Sequence, residues 1–331
     1  MSAAAPTSPF ALAALRNMLD RIVITGGAGF IGANLARHLL AEGIAASVVA
    51  YDNLSTGFAD NVAGVEGFDL VEGDILDGDH LTDVVRGADA VVHLAARPSV
   101  PKSIENPTAT HDNNATGTLR VLESMRAAGV HRIVAASSSS VYGANPVLPK
   151  VETLRPMPMS PYAVSKLATE SYVLSYQQVF GFSGVAFRFF NVFGPLQRAG
   201  HAYAAVVPAF VAAALAGEPL VVHGDGGQTR DFTYVGSVAA VIGDVLARGT
   251  SSPDPVNLAF GTRYSLLELI EVLEGLVGHP LERTHVAPRT GDVRDSQADQ
   301  GRVRELVAGL QPVELADGLR RTIDWFRSPS T

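Results

Sequence analysis

Cysteine is absent from this sequence of 331 residues, and tryptophan occurs once. Without a thiol the chain cannot form disulfides, bind metals through sulfur or use a cysteine nucleophile. Positive charge is also scarce, because 25 Lys and Arg stand against 33 Asp and Glu, which gives a formal net charge of −8. No basic block is present to neutralise phosphates, so we expect no nucleic-acid partner, although single arginines can still bind a small anion.

Long apolar runs are absent as well. No stretch reaches the roughly 20 residues that cross a bilayer, and the first residues lack the basic start of a secretory signal. We therefore expect no membrane insertion and predict a cytoplasmic location. Residues 1–17 are rich in Ala, Pro and Ser, which indicates a loose N-terminal extension with Met18 as a natural start.

The first 194 residues instead alternate short β-branched or apolar runs with segments of helical period. This alternation predicts an α/β fold with a Rossmann-type, doubly wound parallel sheet that binds its ligands at the carboxyl ends of the strands. The predicted strands are Arg21–Thr25, Ser47–Tyr51, Asp69–Glu72, Ala90–His93, Arg132–Ser137 and Gly184–Arg188. The predicted helices are Ile31–Ala41, Thr116–Ala128 and Pro161–Phe180.

The pattern loosens beyond Gly194, which predicts a smaller mixed α/β substrate lobe over the mouth of the first domain. Its helices are expected near Val206–Ala216, Gly236–Leu246, Leu266–Val277 and Glu314–Phe326, and its strands near Leu220–His223 and Val256–Leu258. We assign 18–194 with 232–262 to a dinucleotide-binding domain, and 195–231 with 263–328 to the substrate lobe.

A glycine-rich turn, Gly26-Gly27-Ala28-Gly29-Phe30-Ile31-Gly32, joins the first strand to a helix. Such glycines let the backbone approach a pyrophosphate, which the helix N-terminus then faces. Asp52 follows at the end of the second strand, where a carboxylate can bond the adenosine ribose and repels a 2′-phosphate. The combination predicts NAD as cofactor rather than NADP. A structural turn with a capping Asp is the alternative.

Tyr162 and Lys166 are four residues apart, which places both on one face of a helix. An ammonium beside the phenol, together with a positive nicotinamide, favours the phenolate and so makes Tyr162 an acid/base near neutral pH. Ser137 to Ser140 follow the strand that would end beside the nicotinamide, where their hydroxyls can bond a substrate. A surface pair and a polar loop are the alternatives.

These pieces together resemble the extended short-chain dehydrogenase/reductase family, in particular its NAD-dependent nucleotide-sugar 4-epimerases. The resemblance extends from Arg21 to about Asp324. It rests on the segments Thr25–Gly32, Tyr51–Leu54, His93–Ala96, Asn113–Thr118 and Arg188–Pro195, on the clamp motifs around Arg230 and Arg289, and on Tyr162 with Lys166.

The resemblance implies Tyr162 as catalytic base, Lys166 as its partner and Ser138 as the hydroxyl that shares the substrate proton. Cofactor contacts are expected at Gly26, Gly29, Phe30, Ile31, Gly32, Asp52, Asn53, Asp74, Ile75, Leu94, Ala95, Ala96 and Asn113, besides Tyr162 and Lys166. Substrate contacts are expected at Ser138, Ser139, Ser140, Tyr162, Asn191, Arg198, Val207, Arg230, Arg289 and Asp292. No metal is expected.

Arg230 and Arg289 would hold the substrate diphosphate, to which their forked donors are suited, and Asp292 the nucleotide ribose. The related dehydratases carry an Asp-Glu pair where this chain has Ser139 and Ser140, so dehydration is disfavoured. The related epimerase-reductases need a Cys. What remains is 4-epimerisation, or oxidative decarboxylation of a uronic acid. Epimerisation has no net redox change, so NAD would stay bound.

Arg198 matches a basic residue that meets the C6 carboxylate in UDP-glucuronate 4-epimerases, which predicts conversion of UDP-glucuronate to UDP-galacturonate. Alternatively Arg198 is a solvated loop residue and the sugar is UDP-glucose or UDP-galactose. Ser296 is small where narrower members carry Tyr, so N-acetylhexosamines stay open. A decarboxylase and a non-catalytic NAD sensor are the remaining alternatives for the function. For the oligomeric state, the resemblance implies a homodimer.

Overall fold

Seven parallel strands form the central sheet in a computed structural model that describes residues 18–199, 205–288 and 293–328. The strands are β1 (Leu19–Thr25), β2 (Ala45–Asp52), β3 (Phe68–Glu72), β4 (Ala90–His93), β5 (Arg132–Ser138), β6 (Ser183–Phe189) and β11 (Val256–Leu258). Their spatial order is β3-β2-β1-β4-β5-β6-β11. The Rossmann-type prediction is confirmed, and the order reverses between β1 and β4, where such sheets bind ligands.

Six short strands form three small sheets outside the central one within the described ranges. They are β7 (Val192–Phe193) with β10 (Thr233–Tyr234), β8 (Leu220–His223) with β13 (Arg283–Val286), and β9 (Thr229–Arg230) with β12 (Tyr264–Ser265). They belong to the smaller mixed lobe and its junction with the sheet. Residues 1–17 of the predicted extension lie outside the described residues.

Helices cover both faces of the sheet and build most of the lobe. They are α1 (Phe30–Ala41), α2 (Gly78–Val85), α3 (Val100–Glu105), α4 (Pro107–His111), α5 (Gly117–Ala128), α6 (Pro161–Phe180), α7 (Val206–Ala216), α8 (Val235–Arg248), α9 (Leu266–Val277), α10 (Gly301–Leu306) and α11 (Leu315–Arg327). A 3₁₀ turn spans Ser139–Tyr142, directly after β5.

The alternation of side chains along β1 divides the core into two layers. Ile22 and Ile24 are buried in one cluster with residues of α1 and α8, whereas Val23 is buried in another with residues of α2 and α5. Successive side chains of a strand point to opposite faces, so an unbroken apolar strand requires helices on both sides. This sandwich holds the carboxyl ends of the strands rigidly in one plane.

A third cluster fills the lobe, with Phe210 of α7, Leu269 of α9 and Leu319 of α11 at its centre. It also contains Phe193 and Tyr234, which were assigned to the dinucleotide-binding domain. The lobe therefore packs continuously onto the end of the sheet. Within 232–262 the chain returns to the sheet, because β11 pairs with β6 and α8 packs on α1. The predicted division into two domains and its bounds stay a prediction.

Candidate active site

A cavity of about 960 Å³ lies at the carboxyl ends of the central strands, between the sheet and the lobe. Most of the residues expected to bind cofactor line it: Gly26, Gly29, Phe30, Ile31, Gly32, Asp52, Asn53, Ile75, Leu94, Ala95, Ala96, Asn113, Tyr162 and Lys166. Residues expected to bind substrate line it too: Ser138, Ser139, Ser140, Asn191, Arg198 and Arg230.

The glycine turn leaves no room for a side chain at Gly26, Gly27 or Gly32. A Cβ on Gly32 would lie 2.5 Å from the carbonyl oxygen of Gly26, and one on Gly26, where φ is +73°, would lie 2.7 Å from the amide nitrogen of Ala95. Gly29, the N-cap of α1, provides no side-chain cap. The first amides of α1 therefore remain to bind an anion, which fits the pyrophosphate of NAD.

Asp52 is buried at the end of β2 beside this turn. Its carboxylate accepts hydrogen bonds from the amides of Ala28, at 3.1 Å, and Leu54, at 2.9 Å. Burial raises the pKa of Asp52, and these hydrogen bonds oppose the rise. Asp52 thus braces the turn and also lines the cavity; its contact with the ribose stays a prediction.

Asp74 lies behind the cavity wall rather than on it. Its carboxylate accepts from the Leu76 amide and from the Asn53 side chain, each at 2.9 Å. Asn53 lines the cavity, so Asp74 orients a cofactor-facing amide. These contacts are those of a carboxylate that stabilises its own turn.

Tyr162 is the second residue of α6, which begins after Ser160, whose side chain accepts from the Ala163 amide. The phenol is half-buried on the cavity wall and hydrogen-bonded to Ser138. The Ser138 hydroxyl accepts from both the amide and the hydroxyl of Ser140, at 3.2 and 2.9 Å, which leaves its own proton for Tyr162. Burial raises the pKa of Tyr162, and the Ser138 hydrogen bond partly offsets this effect.

Lys166 lies one turn further along α6, buried, and donates to the carbonyl oxygen of Ala136 at 2.8 Å. Burial lowers the pKa of this ammonium to about 8. From the sequence we expected a nearby charge to bring the pKa of Tyr162 down, but in the described protein burial of the phenol prevails. The positive nicotinamide of bound NAD would favour the phenolate further.

A buried ion pair between Arg188 and Glu170 connects α6 to the sheet. The Glu170 carboxylate accepts two hydrogen bonds from Arg188, at 2.8 and 2.6 Å, and one from the Ser137 hydroxyl at 2.9 Å. The Arg188 guanidinium also lies 4.7 Å from the ring centroid of Tyr142. The pair therefore ties α6 to β5 and β6 directly behind Tyr162 and Lys166.

His93 was noted in the sequence only as part of a motif, yet it connects four elements. Its ring nitrogens lie 2.7 Å from the Thr25 hydroxyl and 3.0 Å from that of Thr118, which in turn contacts Thr169. Burial lowers the pKa of His93 to about 3. A neutral histidine thus joins β1, β4, α5 and α6 beneath the site.

The substrate residues are less uniformly placed. Asn191 and Arg230 line the main cavity and also a smaller one of about 230 Å³, which is where the structure places Val207. The Asn191 amide donates to the carbonyl oxygen of Asp231 at 3.1 Å. Ser296 lines the main cavity, as its proposed role in sugar size requires. Arg289 and Asp292 lie outside the described residues.

Arg198 lines the cavity, but its guanidinium has nearby partners. Its central carbon lies 3.6 Å from the ring centroid of Phe58, and one nitrogen lies 3.9 Å from a carboxylate oxygen of Asp60. The side chain is still 43% exposed. Neither of the two alternatives raised from the sequence, a carboxylate ligand or a solvated loop residue, anticipated this stack.

Lys150 was missed. This buried lysine lines the cavity, and its ammonium donates to the Asn145 carbonyl oxygen. Its backbone pairs with Gln297 and Asp299, just after Ser296. Burial lowers the pKa of Lys150. No motif or spacing marks this residue in the sequence, because its position depends on contact with a segment almost 150 residues away.

Residues 22–259 match the family described as NAD dependent epimerase/dehydratase. The chain belongs to this family. It is therefore an enzyme of the NAD-dependent type. Within the described ranges, none of the helices has the length and hydropathy to cross a membrane, and no group of three or more acidic, His or Cys side chains is arranged to hold a metal ion.

Individual relatives extend over nearly the whole chain. The UDP-glucose 4-epimerase of Mycolicibacterium smegmatis is 38% identical over 94% of this chain and 99% of its own length. The UDP-glucuronate 4-epimerase of Thermodesulfobacterium geofontis is 33% identical over 92% and 95%. The structure of UDP-glucuronic acid 4-epimerase from Bacillus cereus, in complex with UDP-glucuronic acid and NAD, has a TM-score of 0.84 at 30% identity, with coverage of 93% and 99%.

Proposed function

We propose that this protein catalyses reversible epimerisation at C4 of a UDP-sugar through a 4-keto intermediate. The observation that carries the proposal is the hydrogen-bonded pair of Ser138 and Tyr162, with Lys166 one helical turn away. All three residues line the same cavity as the glycine turn. The similarity to UDP-sugar 4-epimerases over more than nine-tenths of the chain supports the same reaction.

The residues have complementary tasks in this reaction. NAD, when bound, supplies the acceptor that takes a hydride from C4 and later returns it to the other face. Tyr162, as the phenolate, accepts the proton of the sugar 4-hydroxyl and becomes a phenol. Ser138 donates to the phenolate before this transfer and so stabilises it. Lys166 keeps a positive charge beside the pair at neutral pH, because its pKa is about 8. In the reverse half-reaction Tyr162 returns the proton to the 4-keto oxygen.

For the sugar, the geometry favours neutral UDP-glucose and UDP-galactose. Arg198, the residue expected to read a C6 carboxylate, already stacks on Phe58 and lies near Asp60. To bind a uronic acid it would have to give up these contacts. UDP-glucuronate is the second candidate, because the Arg198 side chain stays 43% exposed on the cavity wall and a relative acts on that sugar.

A panel of UDP-glucose, UDP-glucuronate and UDP-N-acetylglucosamine, assayed with the purified protein, tests these proposals. We expect UDP-galactose from UDP-glucose without added reductant, and the highest kcat/KM for that pair. Selective turnover of UDP-glucuronate would instead establish the acidic sugar. Formation of UDP-xylose and CO₂ would show that the protein is a decarboxylase. If none of the three sugars is turned over although NAD is bound, the non-catalytic NAD sensor would be the remaining function.

We also propose that the protein forms a homodimer through α6. This helix exposes several large apolar side chains: Val164, Tyr172, Val179 and Phe180. Analytical ultracentrifugation of the wild type and of Val179→Asp tests the assignment. We expect a dimer that the Asp weakens, whereas a monomeric wild type would contradict it.

A further inference from the structure

The segment that carries Arg198 is fixed to the first turn of α1. The Asn34 side chain of α1 donates to the Pro195 carbonyl oxygen at 2.9 Å and to that of Phe30 at 2.8 Å. The next residue, Leu196, has a φ of +69°, a conformation that leucine keeps only when its surroundings impose it. Its side chain packs against the core on that face of the sheet. The segment therefore crosses the beginning of α1 in a fixed path.

The loop that carries Phe58 is fixed to the glycine turn, which immediately precedes α1. The Phe58 amide donates to the Ala28 carbonyl oxygen at 3.0 Å, and the Asn61 side chain donates to the same oxygen at 2.8 Å. The Ala28 amide in turn donates to Asp52. The loop after β2 is thus fixed at Ala28 of the glycine turn, and the segment after β7 is fixed at Asn34 of α1.

Arg198 bridges the gap between them. Its guanidinium carbon lies 3.6 Å from the centroid of the Phe58 ring, a cation–π stack at close range. Asp60, from the same loop, lies 3.9 Å away. Arg198 and Phe58 both line the cavity, so the stack forms part of its wall.

We infer that Arg198 and Phe58 form a clasp that retains NAD. The α1 amides attract the pyrophosphate from below, and the guanidinium adds a positive charge on the open side. The dinucleotide must pass this stack to leave, so the stack must open first. Slow release suits an enzyme whose NAD is regenerated in every turnover. The inference rests on NAD binding and does not depend on which sugar is used.

The release rate of NAD measures the clasp directly. The purified protein with its bound NAD is mixed with excess isotopically labelled NAD, and the unlabelled NAD that remains bound is followed by mass spectrometry. We expect Arg198→Ala and Phe58→Leu each to release NAD about tenfold faster, the change that loss of a partly desolvated cation–π contact supports. The double variant should be no faster than the faster single variant, because either change alone opens the clasp.

Arg304→Ala is the matched control. Arg304 also lies over a phenylalanine, 5.4 Å from the centroid of Phe260, but neither residue lines the cavity. Its NAD release should equal that of the wild type. Melting temperatures at saturating NAD show that the variants are folded. Unchanged release in Arg198→Ala, or additive effects in the double variant, would overturn the clasp, whereas a failure to epimerise any UDP-sugar would overturn only the proposed function.

Discussion

The phenol of Tyr162 is hydrogen-bonded to the hydroxyl of Ser138, although they lie on different elements, α6 and the end of β5. The bond exists because Ser138 is the last strand residue before a 3₁₀ turn and because α6 begins only one residue before Tyr162. The proposed acid/base group and its proposed proton partner are therefore positioned by a helix and a strand end rather than by a loop.

This relationship predicts the effect of removing each hydroxyl. Tyr162→Phe should lower kcat by roughly 10²–10⁴, the usual contribution of a positioned acid/base, while the bound NAD content stays at the wild-type level. Ser138→Ala should lower kcat by less, because the phenol remains. Steady-state assays and NAD quantification check both. Wild-type turnover in Tyr162→Phe would exclude it as the acid/base.

Lys166 makes the stability of the NAD-free protein depend on pH. Its pKa is about 8 in the folded state, against 10.5 for an ordinary lysine. Below pH 8 both states are protonated and the cost of burying the charge is fully present. Between pH 8 and 10.5 the folded state has lost its proton and the unfolded state has not, so the free energy of unfolding rises by about 1.4 kcal/mol per pH unit.

Urea unfolding of NAD-free wild type and Lys166→Met at pH 7.5 and 9.5 tests this relation. Methionine has no proton to lose, so the rise attributable to Lys166 should be missing from the variant, which should be more stable than wild type at pH 7.5. Equal pH dependence of the two proteins would contradict the buried, charged Lys166.

The ion pair of Arg188 and Glu170 predicts a large cost when one partner is removed. Both side chains are almost fully buried, so Glu170→Leu or Arg188→Met should lower the free energy of unfolding by about 3–5 kcal/mol, since a charge is left buried without its partner. The double variant should recover much of this loss. Arg126→Met, which breaks an exposed pair with Glu123, should cost less than about 1 kcal/mol. Equal costs for the buried and exposed pairs would be the opposing result.

The negative charge of Asp52 leads us to expect that the protein prefers NAD to NADP. In Asp52→Asn the negative charge that repels a 2′-phosphate is lost, so the preference for NAD should fall about tenfold or more, as expected for a charged hydrogen bond. Dissociation constants for both cofactors measure this change. Asp77→Asn is the control, because Asp77 caps α2 and does not line the cavity. An unchanged preference in Asp52→Asn would assign Asp52 to bracing the turn alone.

The fold was predictable where local patterns are long. Helices α6, α7 and α9 begin and end at the predicted residues, because each has a helical apolar period and ends at a glycine with positive φ. All six predicted strands of the first domain are present, with bounds within two residues. The short helices α2, α3, α4 and α10 were missed, because eight residues or fewer hold too few turns to display a period.

The site was predictable where the chemistry is local. The spacing of Tyr162 and Lys166 and the glycines around Gly29 could be read directly. Contacts between distant segments could not, because they depend on how the lobe packs on the sheet. Arg198 stacks on Phe58, 140 positions earlier in the chain, and Val207 opens on a neighbouring cavity. The direction of the pKa shift of Tyr162 likewise depends on its burial, which spacing alone does not determine.

The fate of the hydrogen at C4 tests the central claim most directly. UDP-glucose and UDP-glucuronate carrying deuterium at C4 are converted without added NAD, and the products are examined by NMR. If Tyr162 acts in C4 epimerisation with a resident hydride carrier, the C4 epimer keeps its deuterium and Tyr162→Phe forms it roughly 10²–10⁴ times more slowly. An epimer with solvent hydrogen at C4, or no C4 epimer from either sugar, would contradict the account.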